Sequence, residues 1–239
     1  MRAVICGANG AMGKLICDIF GDEVVGKVSI DGENNVPKTF AELGKVDCDV
    51  LVDFSHHTAI ADVLAYAKEV GCAAVIGTTG HTPEEKALIA EASKEIPVFF
   101  SGNMSLGIAV LCRLAKDAAK YFPDADIEIV EVHHNRKVDA PSGTALMLFN
   151  AIKEVRPEAT ANCGRAGEGK RTKEEIGISA LRMGSVVGVH EVHIHTGTQH
   201  LTLKHEAVTR AMRADGAVAA ARFMEGKGKG LYNMENMLN

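Results

Sequence analysis

The stretch EVHHNRKVDAPSGTAL, residues 131–146, places two histidines, a lysine and an aspartate between a predicted strand and a predicted helix. Side chains alternate between the two faces of a strand, so we expect His133 and His134 to point in opposite directions. A metal ion shared by both rings is therefore disfavoured, and we predict that one histidine is a general acid and the other contacts a ligand. Lys137, in the following turn, could hold a substrate carboxylate or support proton delivery.

A helix is predicted to begin within DAPSGTAL, with Ser142 or its neighbour as the N-cap. The first N–H groups of a helix have no acceptor inside the helix, and the helix dipole favours negative charge there. We therefore predict that Gly143 and Thr144 bind an anion through their N–H groups, opposite a cationic turn. This combination indicates a small substrate that carries a carboxylate. The alternative is an ordinary capped helix beside surface histidines.

The N-terminal segment CGANGAMG places glycines at positions 7, 10 and 13, directly after a predicted strand and at the start of a predicted helix. This spacing lets the backbone turn tightly and approach a pyrophosphate, which favours dinucleotide binding over a purely structural turn. Asp31, at the predicted end of the second strand, could accept ribose hydroxyls. Because its charge would repel a 2′-phosphate, we expect NADH to be accepted, while the preference between NADH and NADPH stays open.

Two further polar turns, GTTG (77–80) and SGNMS (101–105), follow predicted strands of the same half. In an open α/β sheet, ligands lie at the carboxyl ends of the strands. We therefore predict that both turns line the nicotinamide, although glycine and serine in such turns are often only structural.

The elements that must position these groups differ between the two halves of the chain. In the first half, short apolar runs alternate with amphipathic segments, which predicts a doubly wound, Rossmann-like parallel sheet domain. Its strands are expected at 3–6, 24–30, 48–54, 73–77 and 98–100, and its helices at 12–20, 59–70 and 83–96, the last capped by Thr82 with Pro83 at its first position.

After residue 103 the pattern indicates an α+β domain. Helices are expected at 105–119 and 142–155, a strand at 126–132, a solvated loop at 156–175, and three long, partly alternating strands between 176 and 208 that suggest an antiparallel sheet with one exposed face. The segment 213–226 is predicted to be helical again. The predicted domains are 1–103 with 211–239, which would bind the dinucleotide, and 104–210, which would bind substrate and carry the subunit contacts.

Composition excludes several function classes. The 26 Lys and Arg against 31 Asp and Glu give a formal charge of −5, with no long basic block, so nucleic acid is not an expected partner. No apolar run reaches membrane-spanning length, and the six scattered cysteines favour reduced thiols. We therefore expect a cytoplasmic protein without a membrane partner.

The run HEVHIH, residues 190–195, places His193 and His195 two apart on a predicted strand, which is the spacing of a metal pair. No carboxylate or cysteine partner is evident nearby. We therefore predict a sheet surface or a subunit interface at this run, and no metal site in the chain.

The segment EIVEVHHNRKVDAPSGTA, residues 128–145, closely resembles the signature of 4-hydroxy-tetrahydrodipicolinate reductases, also called dihydrodipicolinate reductases, of lysine and diaminopimelate biosynthesis. The resemblance extends over essentially the whole chain through GANGAMG, VDFS (52–55), GTTG, SGNMS and the C-terminal GAVAAARFMEGKGKGLYNMENML. It implies NAD(P)H-dependent reduction of 4-hydroxy-tetrahydrodipicolinate or dihydrodipicolinate to tetrahydrodipicolinate. It also implies a homotetramer assembled through an open mixed sheet of the substrate domain, and no metal.

The resemblance assigns roles to individual residues. His133 is implied as the proton donor and Lys137 as a second acid, while His134, Gly143 and Thr144 match the substrate contacts. Together with the glycine spacing and Asp31, the predicted cofactor contacts are Gly7, Ala8, Asn9, Gly10, Ala11, Met12, Gly13, Asp31, Gly77, Thr78, Thr79, Ser101, Gly102, Asn103 and Met104.

Two positions depart from the family pattern: Met104 stands where many members carry an aromatic residue, and Asp31 is followed by Gly and Glu instead of a basic residue. Two other functions are less consistent with the sequence. An acylating semialdehyde dehydrogenase of the aspartate pathway needs a nucleophilic cysteine, and none stands beside His133 or Lys137. A non-catalytic dinucleotide sensor that acts on DNA needs a basic patch or a DNA-binding helix pair, and neither is visible.

Overall fold

The computed structural model describes residues 1–239, which divide into two units: Met1–Leu106 with Ala211–Asn239, and Gly107–Arg210. None of its helices combines the length and the apolar character that crossing a membrane requires.

A six-stranded parallel sheet forms the first unit, with the strand order β11-β5-β4-β3-β1-β2. Its strands are β1 (Ala3–Cys6), β2 (Val24–Val28), β3 (Val50–Asp53), β4 (Ala73–Ile76), β5 (Pro97–Phe100) and β11 (Gly230–Tyr232). Every residue of β1, β3 and β4 is buried, as expected for the central strands of a parallel sheet that helices cover. The predicted Rossmann-like fold is therefore confirmed.

The helices of the first unit are α1 (Ala11–Phe20), α2 (Phe40–Leu43), α3 (Ile60–Val70), α4 (Pro83–Ala92) and α7 (Met212–Phe223). The predicted start of α4 is confirmed, because Thr82 and Glu85 form a capping box and Pro83 occupies the first turn. Several predicted bounds were wrong: β2 stops at Val28 instead of residue 30, α4 at Ala92 instead of residue 96 and α7 at Phe223 instead of residue 226, while β3 begins at Val50 instead of residue 48.

The second unit contains a five-stranded sheet with the order β10-β9-β6-β8-β7. Its elements are α5 (Leu106–Tyr121), β6 (Asp126–His133), α6 (Gly143–Lys153), β7 (Thr160–Cys163), β8 (Glu175–Arg182), β9 (Val189–His195) and β10 (His200–Glu206). The strand β7 lies inside the segment that was predicted as a loop. The expectation that the three later strands are all antiparallel was wrong for β8, which runs parallel to both β6 and β7. The crossover through α6 brings the chain back in the same direction and explains this mixed sheet.

One face of this sheet packs against α5 and α6. Ile127 and Ile129 of β6 lie in a buried cluster with residues of both helices and of β8 and β9. Because side chains alternate along a strand, Glu131 and His133 also project from this inner face, at the carboxyl end of β6. The opposite, outer face carries Glu128, Val130 and Val132.

Candidate active site

His133 is the last residue of β6, and its side chain is buried, with 7% of the residue exposed. Its Nδ1 lies 2.5 Å from Oε2 of Glu131, the preceding residue on the same face. Strand register brings two further polar residues alongside, since His133 pairs with Arg182 of β8 and Glu131 pairs with His190 of β9. The inner end of the sheet is therefore a cluster of four polar side chains from three adjacent strands.

The Glu131 carboxylate is fully buried and accepts hydrogen bonds on both oxygens. Arg182 donates from Nη1 to Oε2 at 2.9 Å and from Nη2 to Oε1 at 2.8 Å, and the backbone N–H of Ser142 donates to Oε1 at 3.0 Å. Burial by itself raises the pKa of Glu131, but the hydrogen bonds from Arg182, His133 and Ser142 outweigh it and hold the pKa below its usual value. The carboxylate is therefore ionised at neutral pH.

Helix α6 begins beside this carboxylate. Ser142 is its N-cap, with an extended backbone and a side-chain oxygen that accepts from Ala145 N at 3.2 Å. Gly143 and Thr144 form the first turn, as predicted. Since Ser142 N donates to Glu131 and Glu131 contacts His133, one carboxylate connects the candidate acid to the start of the helix.

His190 belongs to the same cluster, and sequence reasoning missed it. Its Nε2 lies 3.3 Å from Ser142 Oγ, and its ring meets the His133 ring edge-on with centroids 5.0 Å apart. Burial, reinforced by the neighbouring His133, lowers the pKa of His190 to about 4. This imidazole is therefore neutral at pH 7.

Lys137 and His134 lie in the turn after β6. Lys137 Nζ donates to both carboxylate oxygens of Asp139, at 2.7 and 2.9 Å. His134 Nε2 lies 3.5 Å from Arg210 Nη2, and burial followed by the charges of Arg136 and Arg210 lowers the pKa of His134. The turn is thus rich in cations, which suits a ligand that carries negative charge.

In the first unit, the glycine loop connects β1 to α1 in a way that other residues could not reproduce. Gly7 has φ +80°, and a Cβ there would lie 2.4 Å from the carbonyl oxygen of Phe54. A Cβ at Gly13 would lie 2.1 Å from the carbonyl oxygen of Gly7, so helix and loop approach each other more closely than any side chain allows. Gly10 is the N-cap of α1 and provides no side-chain hydrogen bond.

Asp31 lies in the turn after β2, three residues beyond the strand, and not at its end as predicted. Its Oδ1 accepts from Asn9 Nδ2 at 2.6 Å and from Glu33 N at 3.1 Å. These hydrogen bonds hold the pKa of Asp31 below its usual value, with the bond from Asn9 as the largest cause. Asn9 of the glycine loop thus fixes the carboxylate that was predicted to meet the ribose.

The turn after β4 is held by Asp53, a buried residue to which the sequence analysis gave no role. Thr78 Oγ1 donates to Asp53 Oδ2 at 2.7 Å, and Ser55 Oγ donates to Asp53 Oδ1 at 2.5 Å. Gly77 leaves room for the Phe54 ring, because a Cβ at position 77 would lie 2.3 Å from it. Asp53 ends β3 and pairs with Ile76 at the end of β4, so its place at a strand end within VDFS was the available signal.

The turn after β5 lies next to the turn after β4. Ser101 Oγ donates to the carbonyl oxygen of Asn103 at 2.8 Å, and a Cβ at Gly102 would lie 3.9 Å from Thr79 Cγ2. Met104 is 2% exposed, so its side chain packs inside the unit. Among the other predicted cofactor residues, Ala8 is buried, Ala11 is exposed and Met12 is half-buried.

These observations meet the requirements of a dinucleotide site. The N-terminus of α1 has no side-chain cap, the glycines leave a cradle that a Cβ would fill, and a fixed carboxylate follows β2. Gly7, Gly10, Gly13 and Asp31 are the residues that would hold such a cofactor, with the two polar turns at the carboxyl ends of β4 and β5.

His193 and His195 lie on the outer face of the second sheet. His193 Nδ1 is 3.2 Å from His200 Nε2 on the neighbouring strand, and its Nε2 is 3.1 Å from Glu191 Oε2. The expectation that this run has no carboxylate partner was therefore wrong. No group of three or more His, Cys, Asp or Glu side chains in the chain is arranged to hold a metal ion.

A parallel-sheet unit with a glycine loop, combined with a second unit that holds an imidazole–carboxylate pair, defines a dinucleotide-dependent oxidoreductase. The family described as "Dihydrodipicolinate reductase, N-terminus" matches residues 1–104, and "Dihydrodipicolinate reductase, C-terminus" matches residues 107–238. The chain belongs to the dihydrodipicolinate reductase family, as the resemblance of the sequence predicted.

Relatives extend over the full length of the chain. The 4-hydroxy-tetrahydrodipicolinate reductase of Clostridium tetani is 44% identical over 248 residues, covering 100% of this chain and 97% of the relative. The enzyme of the same name from Caldanaerobacter subterraneus subsp. tengcongensis is 43% identical, covering 100% and 98%. A dipicolinate-bound dihydrodipicolinate reductase from Paenisporosarcina sp. TG-14 has the same fold, with a TM-score of 0.80 over 99% of each chain at 23% identity.

Proposed function

We propose that this chain reduces 4-hydroxy-tetrahydrodipicolinate, or its dehydrated form dihydrodipicolinate, to tetrahydrodipicolinate in lysine and diaminopimelate biosynthesis, with NADH or NADPH as the reductant. Full-length relatives that carry the name of this reductase support the assignment. The single structural observation that carries it is the His133 imidazole, held by Glu131 beside the first turn of α6.

His133 is the proposed proton donor. A reduced nicotinamide, when bound, supplies the hydride, and the imidazole delivers a proton to the electron-rich ring position that develops. General acid catalysis of this kind contributes on the order of 10²- to 10⁴-fold to the rate. Lys137 is the proposed second acid, and its ion pair with Asp139 keeps the ammonium group in the same turn.

The substrate is a dicarboxylate, and its carboxylates need donors. We assign this role to the N–H groups of Gly143 and Thr144 at the start of α6, where the helix dipole favours an anion, and to His134 and Lys137. Holding the ring at these points orients it toward the acid, and such positioning accounts for a large part of a typical rate enhancement.

The proposed cofactor contacts are the glycine loop 7–13, Asp31, and the turns 77–79 and 101–104. The cradle at Gly7 and Gly13 and the fixed carboxylate of Asp31 support them. Asp31 favours NADH, because its negative charge opposes a 2′-phosphate.

The proposed assembly is a homotetramer in the cytoplasm. Support comes from the outer face of the second sheet, where Leu181 is exposed and Val130, Val132 and Val189 are half-buried, while α5 and α6 cover only the inner face. These four neighbouring side chains form an apolar strip on a face that otherwise carries polar residues such as Glu128 and His193, and such a strip suits contact with another copy. Sedimentation or light scattering would give the mass in solution.

The decisive assay mixes the chain with NADH or NADPH and enzymatically generated substrate and follows the loss of reduced-nicotinamide absorbance. Substrate-dependent oxidation supports the proposal, and its absence with both cofactors contradicts it. The semialdehyde dehydrogenase alternative is disfavoured because burial raises the pKa of Cys112 to about 11, which suppresses the thiolate that acylation needs.

A further inference from the structure

We propose that Glu131 is a positioning residue: clamped by Arg182, its carboxylate keeps the proton on Nδ1 of His133, so that Nε2 is the atom that delivers a proton to substrate. This inference rests on the proposed role of His133 and adds to it the tautomer, the reacting nitrogen and the group that enforces both. Glu131 stands at the head of the sequence stretch that carries the candidate acid, yet neither its position nor its type alone assigned it a role.

The direction of the hydrogen bond between Glu131 and His133 fixes the position of one ring proton. An ionised carboxylate can only accept, so the 2.5 Å contact between Glu131 Oε2 and His133 Nδ1 requires a proton on Nδ1. Of the two ring nitrogens, only Nε2 is then free to release and regain a proton during turnover. The form that donates is then the doubly protonated ring, which releases its Nε2 proton to substrate and keeps its Nδ1 proton in the hydrogen bond to Glu131.

Arg182 keeps the Glu131 carboxylate ionised and fixed in place. It is fully buried, and an isolated buried carboxylate would take up a proton. Arg182 prevents this with two parallel hydrogen bonds, one to each oxygen, in the planar geometry that a guanidinium shares with a carboxylate. Arg182 also donates to the carbonyl oxygen of Asp139 at 2.6 Å, so the pair fixes the turn that contains Lys137 as well.

Gly188 leaves space beside Nε2 of His133. A Cβ at Gly188 would lie 3.1 Å from His133 Nε2 and 3.4 Å from Cδ2, so the absence of a side chain at position 188 leaves space at this nitrogen. The charged and titratable groups around the ring are Glu131, Arg182, His190, His134 and Lys137. His190 faces the ring edge-on and makes no hydrogen bond to it, so Glu131 is the group that sets the tautomer.

The test reads the tautomer directly. Two-dimensional ¹⁵N–¹H NMR of the histidine rings, with His133 assigned by its loss in His133→Gln, distinguishes an Nδ1–H ring from an Nε2–H ring at a pH where the ring is neutral. We expect Nδ1–H in the wild type. In Glu131→Gln the amide can donate as well as accept, so we expect the Nε2–H form to appear and kcat to fall about 10²-fold or more, with the Kd for NADH unchanged.

The matched control is Glu154→Gln. Glu154 is the C-cap residue of α6 in the same unit, and its carboxylate pairs with Lys116 of α5. This variant should leave the tautomer and kcat as in the wild type. Glu131→Asp, which keeps the charge but shortens the side chain, serves if Glu131→Gln does not fold, and we expect it to keep Nδ1–H with an intermediate kcat. Gly188→Ala should lower kcat without changing the tautomer.

An Nε2–H ring in the wild type would overturn the inference, as would a Glu131→Gln variant with an unchanged tautomer and unchanged kcat. The tautomer is measured without substrate, so failure of the proposed function can be distinguished from failure of the inference about Glu131. A chain that shows Nδ1–H but does not reduce the substrate would contradict only the function, whereas an active chain with Nε2–H would contradict only the role of Glu131.

Discussion

Replacing Gly216 by alanine tests how closely α7 packs inside the first unit. Gly216 is buried in the middle of this helix, and a Cβ there would lie 1.6 Å from the carbonyl oxygen of Met104 and 2.8 Å from its carbonyl carbon. Met104 belongs to the SGNMS turn that we assign to the cofactor. The atoms in the way belong to the backbone, so they cannot move aside as the tip of a flexible side chain could.

Two effects of opposite sign determine the size of the change. Alanine is favoured over glycine inside a helix by about 1 kcal/mol, so helix propensity alone would stabilise Gly216→Ala. Ordinary carbon contacts begin at about 3.5 Å, so helix and turn must separate by about 2 Å, and overpacking of this kind costs about 3 kcal/mol or more. We therefore expect the free energy of unfolding to fall by about 2 kcal/mol or more, which corresponds to a fall in Tm of about 4–8 °C for a chain of this length.

Thermal unfolding followed by circular dichroism, at one heating rate for all samples, measures the effect. The matched control is Gly228→Ala, because position 228 lies in the same unit, has no positive φ, and has no neighbouring atom within 4 Å of where an alanine Cβ would stand. The control should unfold within about 1 °C of the wild type. A Tm for Gly216→Ala equal to or above that of the wild type would refute the close approach of α7 to the turn.

Four further outcomes are expected. His133→Gln should lower kcat about 10²- to 10⁴-fold while the Kd for NADH, measured by fluorescence titration, stays unchanged. Asp31→Asn should raise the ratio of NADPH to NADH affinity about tenfold or more, because it removes a charged acceptor and its repulsion of a phosphate; equal ratios in variant and wild type would contradict the role of Asp31. Hydrogen bonding to Arg222 lowers the pKa of Glu23 from 4.5 to about 2, so this carboxylate stabilises the fold above pH 4.5 and loses its effect as the pH falls toward 2. Urea unfolding should therefore show that the difference in free energy of unfolding between the wild type and Glu23→Gln shrinks across that pH range. Burial lowers the pKa of His190 from 6.5 to about 4, so the free energy of unfolding should fall as the pH decreases from 6.5 toward 4. Urea unfolding should show a smaller fall over this range for His190→Gln than for the wild type.

Local sequence patterns predicted the elements whose signals are local. The buried run of β1, the glycine loop and the capped start of α4 each depend on residues within a few positions of one another. The strands β7 and β11 were missed because they are short, largely exposed edge strands. Their sequences, Thr-Ala-Asn-Cys and Gly-Leu-Tyr, carry no apolar run. The predicted direction of β8 was wrong because the pattern of a single strand does not determine which strands pair with it.

The predicted site divides in the same way. The tight turn at Gly7 and Gly13 was predictable, since the glycine spacing alone indicates a close backbone approach there. Asp31 was placed at the end of its strand, but the strand stops at Val28 and hydrogen bonds from Asn9 and Glu33 hold the carboxylate in a turn. Side-chain bonds of this kind join distant segments and leave no periodic signal.

Glu131 shows which part of an active site a motif can and cannot reveal. Strand alternation alone places it on the same face as His133, so its proximity to the acid was available from the sequence. Its burial was not, because a fully buried carboxylate is tenable only with a compensating charge, and that charge is Arg182, 51 residues away on a strand of unknown register. The strand register that pairs His133 with Arg182 and Glu131 with His190 brings the compensating charge to Glu131, and this register is a property of the whole sheet. The proposed proton donor can therefore be identified from one stretch of sequence, whereas the groups proposed to set its tautomer and orientation follow only from the fold.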